Sequence, residues 1–234
     1  MAEPRQHNQP QSVWASVLNR RMLICMAIGF SSGLPLYFLT QLMPAWLRRE
    51  DLGVATIGLI GLTTFPYVWK FVWAPFLDGV VPPVLGRRRG WMLITQVLLL
   101  VLLAAFGQLD PQRDLSLIVI LMIATAFVSA SQDIVLDAYR RELLPDHELG
   151  IGNSFHINAY RMSALVPGSL GLILADSVPW SQVHLVVAAF MLVGIVTTFL
   201  ISEPTRMGSA PPTLAQAIYE PFTEFFRRRN PRWA

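Results

Sequence analysis

Residues 129–142, SASQDIVLDAYRRE, decide the fold, because they place charged side chains on what is otherwise an apolar helix. They follow an apolar run, residues 115–128, that would form most of a membrane-spanning helix. A charge at the centre of such a helix costs about 2.5–3.5 kcal/mol. Asp133 and Asp137 are four residues apart and therefore share one helical face. We expect that face to point into a helix bundle or a wet cavity that also holds cations.

The composition of the whole chain favours a protein that crosses a membrane several times. Of its 234 residues, 53% are hydrophobic and only 14% are charged, whereas a soluble domain carries about 25% charged residues. The apolar residues form long blocks, which predict six spans at residues 22–46, 54–77, 91–106, 115–139, 153–175 and 183–201. The third block is short, and we expect it to extend at both ends. The predicted fold is an all-α membrane protein.

The distribution of arginine predicts the orientation. Thirteen arginines fall in the N-terminal segment, in the loops after the second and fourth spans and in the tail, whereas three fall on the opposite side. Cytoplasmic loops carry the excess of cations, so both ends of the chain are predicted to be cytoplasmic. The predicted domains are a cytoplasmic segment (1–21), a six-helix membrane domain (22–201) and a cytoplasmic linker (202–234). Arginines confined to such loops do not indicate nucleic-acid binding.

Glycine and proline interrupt several predicted spans, which is common at the binding sites of transporters and also in membrane helices generally. The interrupting residues are Gly29, Gly33, Pro35, Pro66, Pro75 and Pro167. Spans one and four carry similar small polar strings, and in spans two and five a cation follows a glycine at the same interval, Gly61 to Lys70 and Gly152 to Arg161. This weak repeat supports a three-plus-three arrangement of helices, as in one half of a transporter.

Four charged residues are predicted to lie at one depth in the membrane domain. Lys70, Asp133, Asp137 and Arg161 fall within roughly the same 12 Å slab, at 1.5 Å of rise per residue. One hypothesis is that Lys70 or Arg161 holds a substrate carboxylate while Asp133 releases and takes up a coupling proton. The alternative is a structural network of salt bridges between spans two, four and five, which we favour for Asp137.

Neighbouring polar and aromatic side chains could complete a substrate site. Tyr160 lies beside Arg161, and Tyr67 and Gln132 lie close in sequence to Lys70 and Asp133. Aromatic faces with adjacent cations suit sugars and acidic groups. The alternative for each aromatic residue is core packing or anchoring at the lipid interface.

Enzyme signatures are absent from the sequence. There is no H-E-x-x-H, no P-loop and no Gly-x-Ser-x-Gly. The four histidines are His7, His147, His156 and His184. Their spacing is not that of metal ligands. We therefore predict no catalytic residue, no metal and no cofactor.

The loop after the second span carries Asp78 and then GRRRG at residues 86–90. It resembles the loop signature of the major facilitator superfamily, although Gly79 replaces the first arginine and the loop is longer. The resemblance implies that Asp78, Arg87 and Arg88 latch the cytoplasmic helix ends, with Asp137 as a partner. An ordinary positive-inside loop is the alternative.

Three separated strings together resemble the AmpG-type muropeptide permeases of bacterial inner membranes. They are GFSSGLPL (29–36), WKFVWAPFLD (69–78) followed by GRRRGW (86–91), and SASQDIVLDA (129–138), with Tyr160-Arg161 later. The resemblance implies a proton-driven importer of N-acetylglucosaminyl-1,6-anhydro-N-acetylmuramyl peptides for cell-wall recycling. The implied partners are protons, this small glycopeptide and the lipid bilayer.

The resemblance leaves two alternatives and one departure. The same family includes acetyl-coenzyme-A transporters, so another solute is possible, and a half-transporter could also be a non-transporting scaffold or sensor. Family members have at least two six-helix halves, whereas this sequence corresponds to the N-terminal half. We expect a partial sequence, truncated before a second six-helix half, ahead of a protein whose partner supplies the opposite wall.

Overall fold

The computed structural model describes residues 19–53, 58, 61, 63–204 and 223, which are mostly helical. Most of the predicted N-terminal segment and linker, and the start of the second span, lie outside these residues. The described helices are α1 (Arg20–Tyr37), α2 (Met43–Arg49), α3 (Thr64–Trp69), α4 (Ala74–Gly79), α5 (Arg87–Ala105), α6 (Leu115–Leu143), α7 (Leu149–Met162), α8 (Gly171–Leu174), α9 (Trp180–Ala189) and α10 (Leu192–Leu200).

Four helical segments in the described part of the chain are long and apolar enough to cross a membrane. They are Arg20–Arg49, Arg87–Gln108, Leu115–Leu143 and Trp180–Leu200. They coincide with the first, third, fourth and sixth predicted spans, and the third extends at both ends as predicted. The remaining described helices, α3 with α4 and α7 with α8, are shorter and interrupted. The fold is therefore an all-helical membrane fold.

Prolines mark the interruptions, as the sequence predicts. Pro35 lies inside α1, one turn before a π-helical turn at Phe38–Leu42. Pro167 lies within a second π-helical turn, Val166–Leu170, between α7 and α8. Pro75 lies in the first turn of α4, just after a tight 3₁₀ turn, Lys70–Val72. Proline lacks the backbone N–H of a helical residue and its ring clashes with the preceding turn, so the regular ladder cannot continue through it.

The two glycines of the first helix have a packing role. A Cβ atom on Gly29 would clash with the backbone carbonyl oxygen of His156, and one on Gly33 with that of Tyr160. Since neither glycine carries a Cβ atom, the backbones of α1 and α7 come into direct contact. This close approach fixes the position of α7, and with it Tyr160 and Arg161, relative to α1.

An apolar core fills one end of the bundle, where Phe38 and Trp46 pack against Phe106 and Trp180. His184 is buried among these rings and its Nδ1 atom lies 2.7 Å from the carbonyl oxygen of Trp180. His184 is thus packed within the core and hydrogen-bonded to the turn below it. Many large apolar side chains outside this core are exposed, which is the surface expected where lipid would cover a membrane protein.

Candidate functional site

A partly buried ion pair joins the turn after α3 to the middle of α6. The Lys70 Nζ atom lies 3.9 Å from Asp133 Oδ2. The other carboxylate oxygen, Oδ1, accepts a hydrogen bond of 2.5 Å from the Ser32 hydroxyl of α1. A separation of 3.9 Å is too long for a hydrogen bond, so charge alone holds Lys70 to Asp133. The structure thus brings together two of the four charged residues that the sequence places at one depth.

The helix break positions this lysine. Lys70 lies on the 3₁₀ turn that separates α3 from α4, where Pro75 prevents a continuous helix. The Trp73 indole N–H donates to the Ser131 hydroxyl at 3.0 Å and holds the turn against α6. The Lys70 side chain remains 34% exposed, whereas that of Asp133 is 12% exposed. The lysine therefore lies at the boundary between the bundle interior and its surface.

Gln132 points away from the ion pair. Its Nε2 group donates to the Ser31 hydroxyl at 3.0 Å, in a fully buried part of the bundle. Beside it, the Thr198 hydroxyl donates to Gln96 Oε1 at 2.8 Å. Nearby, the buried hydroxyls of Tyr67 and Ser129 lie beside each other. Two other buried polar atoms, Gln96 Nε2 and Gln132 Oε1, have no partner in the described part of the chain. These atoms offer hydrogen bonds that the fold itself does not use.

Tyr160 and Arg161 line a separate groove between α6 and α7. Its volume is about 410 Å³, and its wall consists of Tyr37, Asp137, Arg140, Asn153, His156, Ile157, Tyr160 and Arg161. Within it, Arg140 Nη2 pairs with Asp137 Oδ1 at 2.9 Å. Arg161 forms no ion pair with any residue that the structure describes. The predicted set of four charges is thus divided, with Lys70 and Asp133 in one place and Asp137 and Arg161 in another.

A second charged site, the arginine cluster, consists of Asp78, Arg87, Arg88 and Glu142. Arg88 Nη1 donates to Asp78 Oδ1 at 2.5 Å, and its Nη2 donates to Glu142 Oε1 at 2.9 Å. Arg87 Nη2 donates to the same Glu142 oxygen at 2.7 Å. The cluster ties the end of α4 and the start of α5 to the end of α6. It brings together the three latch residues predicted from the loop signature.

Glu142, rather than Asp137, is the acidic residue of α6 in this cluster. The two are five residues apart, which separates them by about 140° around the helix. Asp137 therefore faces the groove with Arg140, while Glu142 faces the loop arginines. Depth along the helix suggested Asp137, but the direction of the side chain decides the pairing. Glu142 is the last residue of the stretch 129–142, so its direction around the helix relative to Asp137 could have been predicted from the sequence.

Glu203 is a further residue that the sequence prediction missed. Its two carboxylate oxygens accept hydrogen bonds from the backbone N–H groups of Arg88 and Arg89, at 2.8 and 3.0 Å. A carboxylate at this position satisfies unpaired donors and the positive end of the helix dipole. At the end of α10, the Arg89 Nε group donates to the Thr198 carbonyl at 3.0 Å. The sequence does contain a signal for this role, because Glu203 is an acidic residue just after the last apolar block.

The family model described as Major Facilitator Superfamily matches residues 23–233. The chain belongs to the Major Facilitator Superfamily. Membership of this transporter superfamily supports the prediction that the protein is not an enzyme.

Two relatives refine this assignment. The anhydromuropeptide permease of Escherichia coli (strain K12) is 43% identical over 211 residues, which cover 90% of this chain and 43% of the relative. An uncharacterized protein of Haemophilus influenzae is 48% identical over 221 residues, which cover 94% of this chain and 52% of the relative. The chain spans about half the length of the curated relatives it matches. The resemblance to AmpG-type permeases is thereby confirmed for the region that the chain covers.

Proposed function

We propose that this protein is a proton-coupled permease of the bacterial inner membrane that imports anhydromuropeptides for cell-wall recycling. The observation that carries the proposal is the 43% identity, over 90% of this chain, to the anhydromuropeptide permease of Escherichia coli. That relative's name favours a muropeptide over an acetyl-coenzyme-A-like solute and over a scaffold or sensor without transport. The helical membrane fold and the partly buried ion pair are compatible with this function.

The proposed topology is six spans in a three-plus-three repeat, with both ends of the chain in the cytoplasm. The membrane domain would be residues 22–201, between a cytoplasmic segment (1–21) and a linker (202–234). In support, the two interrupted segments, α3 with α4 and α7 with α8, occupy the second and fifth places, which such a repeat makes equivalent. The greater length of the relatives supports a second six-helix half that completes the pathway.

Proton coupling would rest on competition for Lys70. A deprotonated Asp133 pairs with Lys70, whereas a protonated Asp133 leaves the lysine without its carboxylate partner. A solute carboxylate could then bind Lys70 in its place. Because one ammonium group serves two carboxylates, a proton on Asp133 and a solute on Lys70 favour each other. Because the two groups are 3.9 Å apart and share no hydrogen bond, little free energy is lost when Lys70 changes partner.

Other residues would contact the glycopeptide. Tyr67 has a buried hydroxyl beside that of Ser129. The Gln132 side-chain oxygen has no partner in the described part of the chain. Tyr160 presents an aromatic face in the groove, and Arg161 an unpaired guanidinium group within the described residues. We assign these four residues to binding of the sugar and peptide.

The arginine cluster would act as the conformational latch. Asp78, Arg87 and Arg88 join helix ends on the side proposed to be cytoplasmic, with Glu142 as the shared acid. Asp137 would contribute from the neighbouring groove through its pair with Arg140. Opening of the cytoplasmic side would exchange these ion pairs for others.

The test is uptake of a radiolabelled anhydromuropeptide by intact cells that express the protein. We expect the Asp133→Asn variant to lose uptake driven by the proton gradient while it still exchanges labelled for unlabelled solute, since exchange needs no net proton movement. Asp176→Asn is the control, because Asp176 forms an exposed ion pair with Arg49. Unchanged proton-driven uptake in Asp133→Asn would remove the coupling role, and absence of uptake by the wild-type protein would reject the function.

A further inference from the structure

The groove beside α7 continues into a second recess toward the turn between α6 and α7. The recess has a volume of about 320 Å³ and shares Asp137, Arg140 and Asn153 with the groove. Its far end reaches Arg141 and Gly150. The groove and the recess, together called the channel, therefore extend from Tyr37 and Tyr160 to the surface that carries the arginine-rich loop. Under the proposed topology this surface is cytoplasmic.

The channel is cationic even after its internal ion pairs are counted. It contains three arginines and one aspartate, since Asp146, the partner of Arg141 at 3.1 Å, lies outside it. Asp137 neutralises only Arg140. Within the described residues, Arg161 has no acidic partner in the channel. An anionic group is therefore the ligand that the channel favours.

One nitrogen atom of the groove lining has no hydrogen-bond partner in the described part of the chain. It is Arg140 Nη1, which is buried. Asp137 occupies only the other terminal nitrogen, Nη2, of Arg140. A guanidinium group binds a carboxylate well, and a buried donor without an acceptor is costly. Arg140 is thus positioned to hold a carboxylate from the channel side.

The other end of the groove is aromatic. The rings of Tyr37 and Tyr160 meet edge to face, with centroids 5.7 Å apart. Their exposed faces could support the apolar face of a sugar ring. Asp133 and Arg140 are seven residues apart on α6, which places them on the same side of the helix about 10 Å apart along its axis. The groove therefore lies beyond the Lys70–Asp133 pair, in the direction of the cytoplasmic surface.

We infer that the groove is a second solute site, on the release side of the Lys70–Asp133 pair, in which Arg140 binds a carboxylate of the departing glycopeptide. The inference rests on the proposed function. Asp137 weakens this binding, because its carboxylate on Nη2 offsets the charge of Arg140 and repels the carboxylate of the solute. At both ends of the pathway a cation thus faces a protein carboxylate and a solute carboxylate.

The experiment measures half-saturating concentrations for transport in right-side-out and inside-out membrane vesicles. The probes are N-acetylglucosaminyl-1,6-anhydro-N-acetylmuramyl tetrapeptide and the same compound with its carboxyl groups amidated. In inside-out vesicles we expect Arg140→Gln to raise the value about tenfold for the first probe and less than about twofold for the amidated one. In right-side-out vesicles the same variant changes either value less than about twofold. Asp137→Asn should lower the inside-out value, because the variant removes a negative charge that offsets Arg140 and repels the solute carboxylate.

Controls separate this inference from the proposed function. Arg113→Gln makes the same chemical change in an exposed loop and should leave every value unaltered. Arg140→Lys retains a cation and replaces Arg140→Gln if that variant fails to fold, with a smaller shift of the same sign. Equal shifts for both probes, equal shifts on both sides, or no shift overturn the second site while transport stands. Absence of transport of both probes by the wild-type protein rejects the function and this site with it.

Discussion

The two charged sites of this protein differ in how many hydrogen bonds join their charged groups. In the arginine cluster, Arg88 donates to two carboxylates over distances of 2.5–3.2 Å, and its side chain is 7% exposed. At the turn between α3 and α4, Lys70 approaches Asp133 only to 3.9 Å and is 34% exposed. The first site is a network of multiple hydrogen bonds between charged groups, whereas in the second the two charged groups meet without a hydrogen bond between them.

This difference separates a structural site from a site that can change partners. A network with several charge-assisted hydrogen bonds is costly to break one member at a time, because each loss leaves a buried charge unpaired. A loose pair without a hydrogen bond gives up little when a solute or a proton replaces one member. The comparison therefore predicts large effects on stability in the arginine cluster and small ones at the Lys70–Asp133 pair.

Glu142→Gln should give the largest loss of stability. The variant leaves Arg87 and Arg88 without their shared carboxylate and places an amide N–H₂ group among guanidinium groups. We expect the free energy of unfolding to fall by about 3–5 kcal/mol. Thermal unfolding in lipid nanodiscs measures it, with Arg113→Gln as the control for loss of an exposed ion pair. A loss no larger than that of the control would show that the cluster is not a stabilising network.

Asp78→Asn should have an intermediate effect. Asp78 is 46% exposed, and Arg88 keeps Glu142 when the charge of Asp78 is removed. We expect a loss of about 1–2 kcal/mol in the free energy of unfolding. Combining Asp78→Asn with Glu142→Gln in a double-mutant cycle measures their coupling through Arg88. Strict additivity of the two losses would contradict a shared network.

Glu203→Ala should cost less again, since the change removes a helix cap and no buried ion pair. The N–H groups of Arg88 and Arg89 lose their acceptors, which we expect to lower the free energy of unfolding by about 1 kcal/mol. Hydrogen exchange at the start of α5 provides a local measurement, with the start of α7 as the internal reference. Unaltered exchange in the first turn of α5 would rule out the cap.

Asp133→Asn should have the smallest effect on stability, in contrast to its effect on coupled uptake. The asparagine oxygen can still accept the hydrogen bond from Ser32, and the lost contact to Lys70 is long and partly exposed. We expect the free energy of unfolding to change by less than about 1 kcal/mol, in either direction. Chemical denaturation of the purified protein checks it. A loss as large as that of Glu142→Gln would make the Lys70–Asp133 pair a structural salt bridge.

Much of the fold could be predicted from the sequence, because apolar blocks and prolines are read directly along the chain. Apolar blocks predicted the four long segments within a few residues of their observed ends, and prolines predicted the breaks in α1, before α4 and after α7. The loop signature likewise predicted that Asp78, Arg87 and Arg88 belong together. Length, hydropathy and proline positions all act along the chain, so a sequence contains them directly.

The pairing of charges was harder to predict, because it depends on the direction of side chains around each helix. Depth alone placed Lys70, Asp133, Asp137 and Arg161 together, yet Asp133 pairs with Lys70 while Asp137, one turn further along the same face of α6, lines the groove with Arg161. Glu203 was missed for a related reason, since its partners are backbone N–H groups more than 100 residues earlier. The close contact of Gly29 with α7 also depends on which face of α1 meets which helix.

The cap formed by Glu203 has a mechanical consequence. Glu203 is joined at both oxygens to the first turn of α5, and the Tyr139 hydroxyl donates to the neighbouring Ser202 carbonyl at 3.1 Å. The backbone at the end of α10 is therefore attached to both α5 and α6. Tension on the chain beyond this attachment is delivered to the first turn of α5, whose arginines make the ion pairs with Asp78 and Glu142. A movement of the backbone at Glu203 would therefore act on the ion pairs of Arg88 with Asp78 and Glu142.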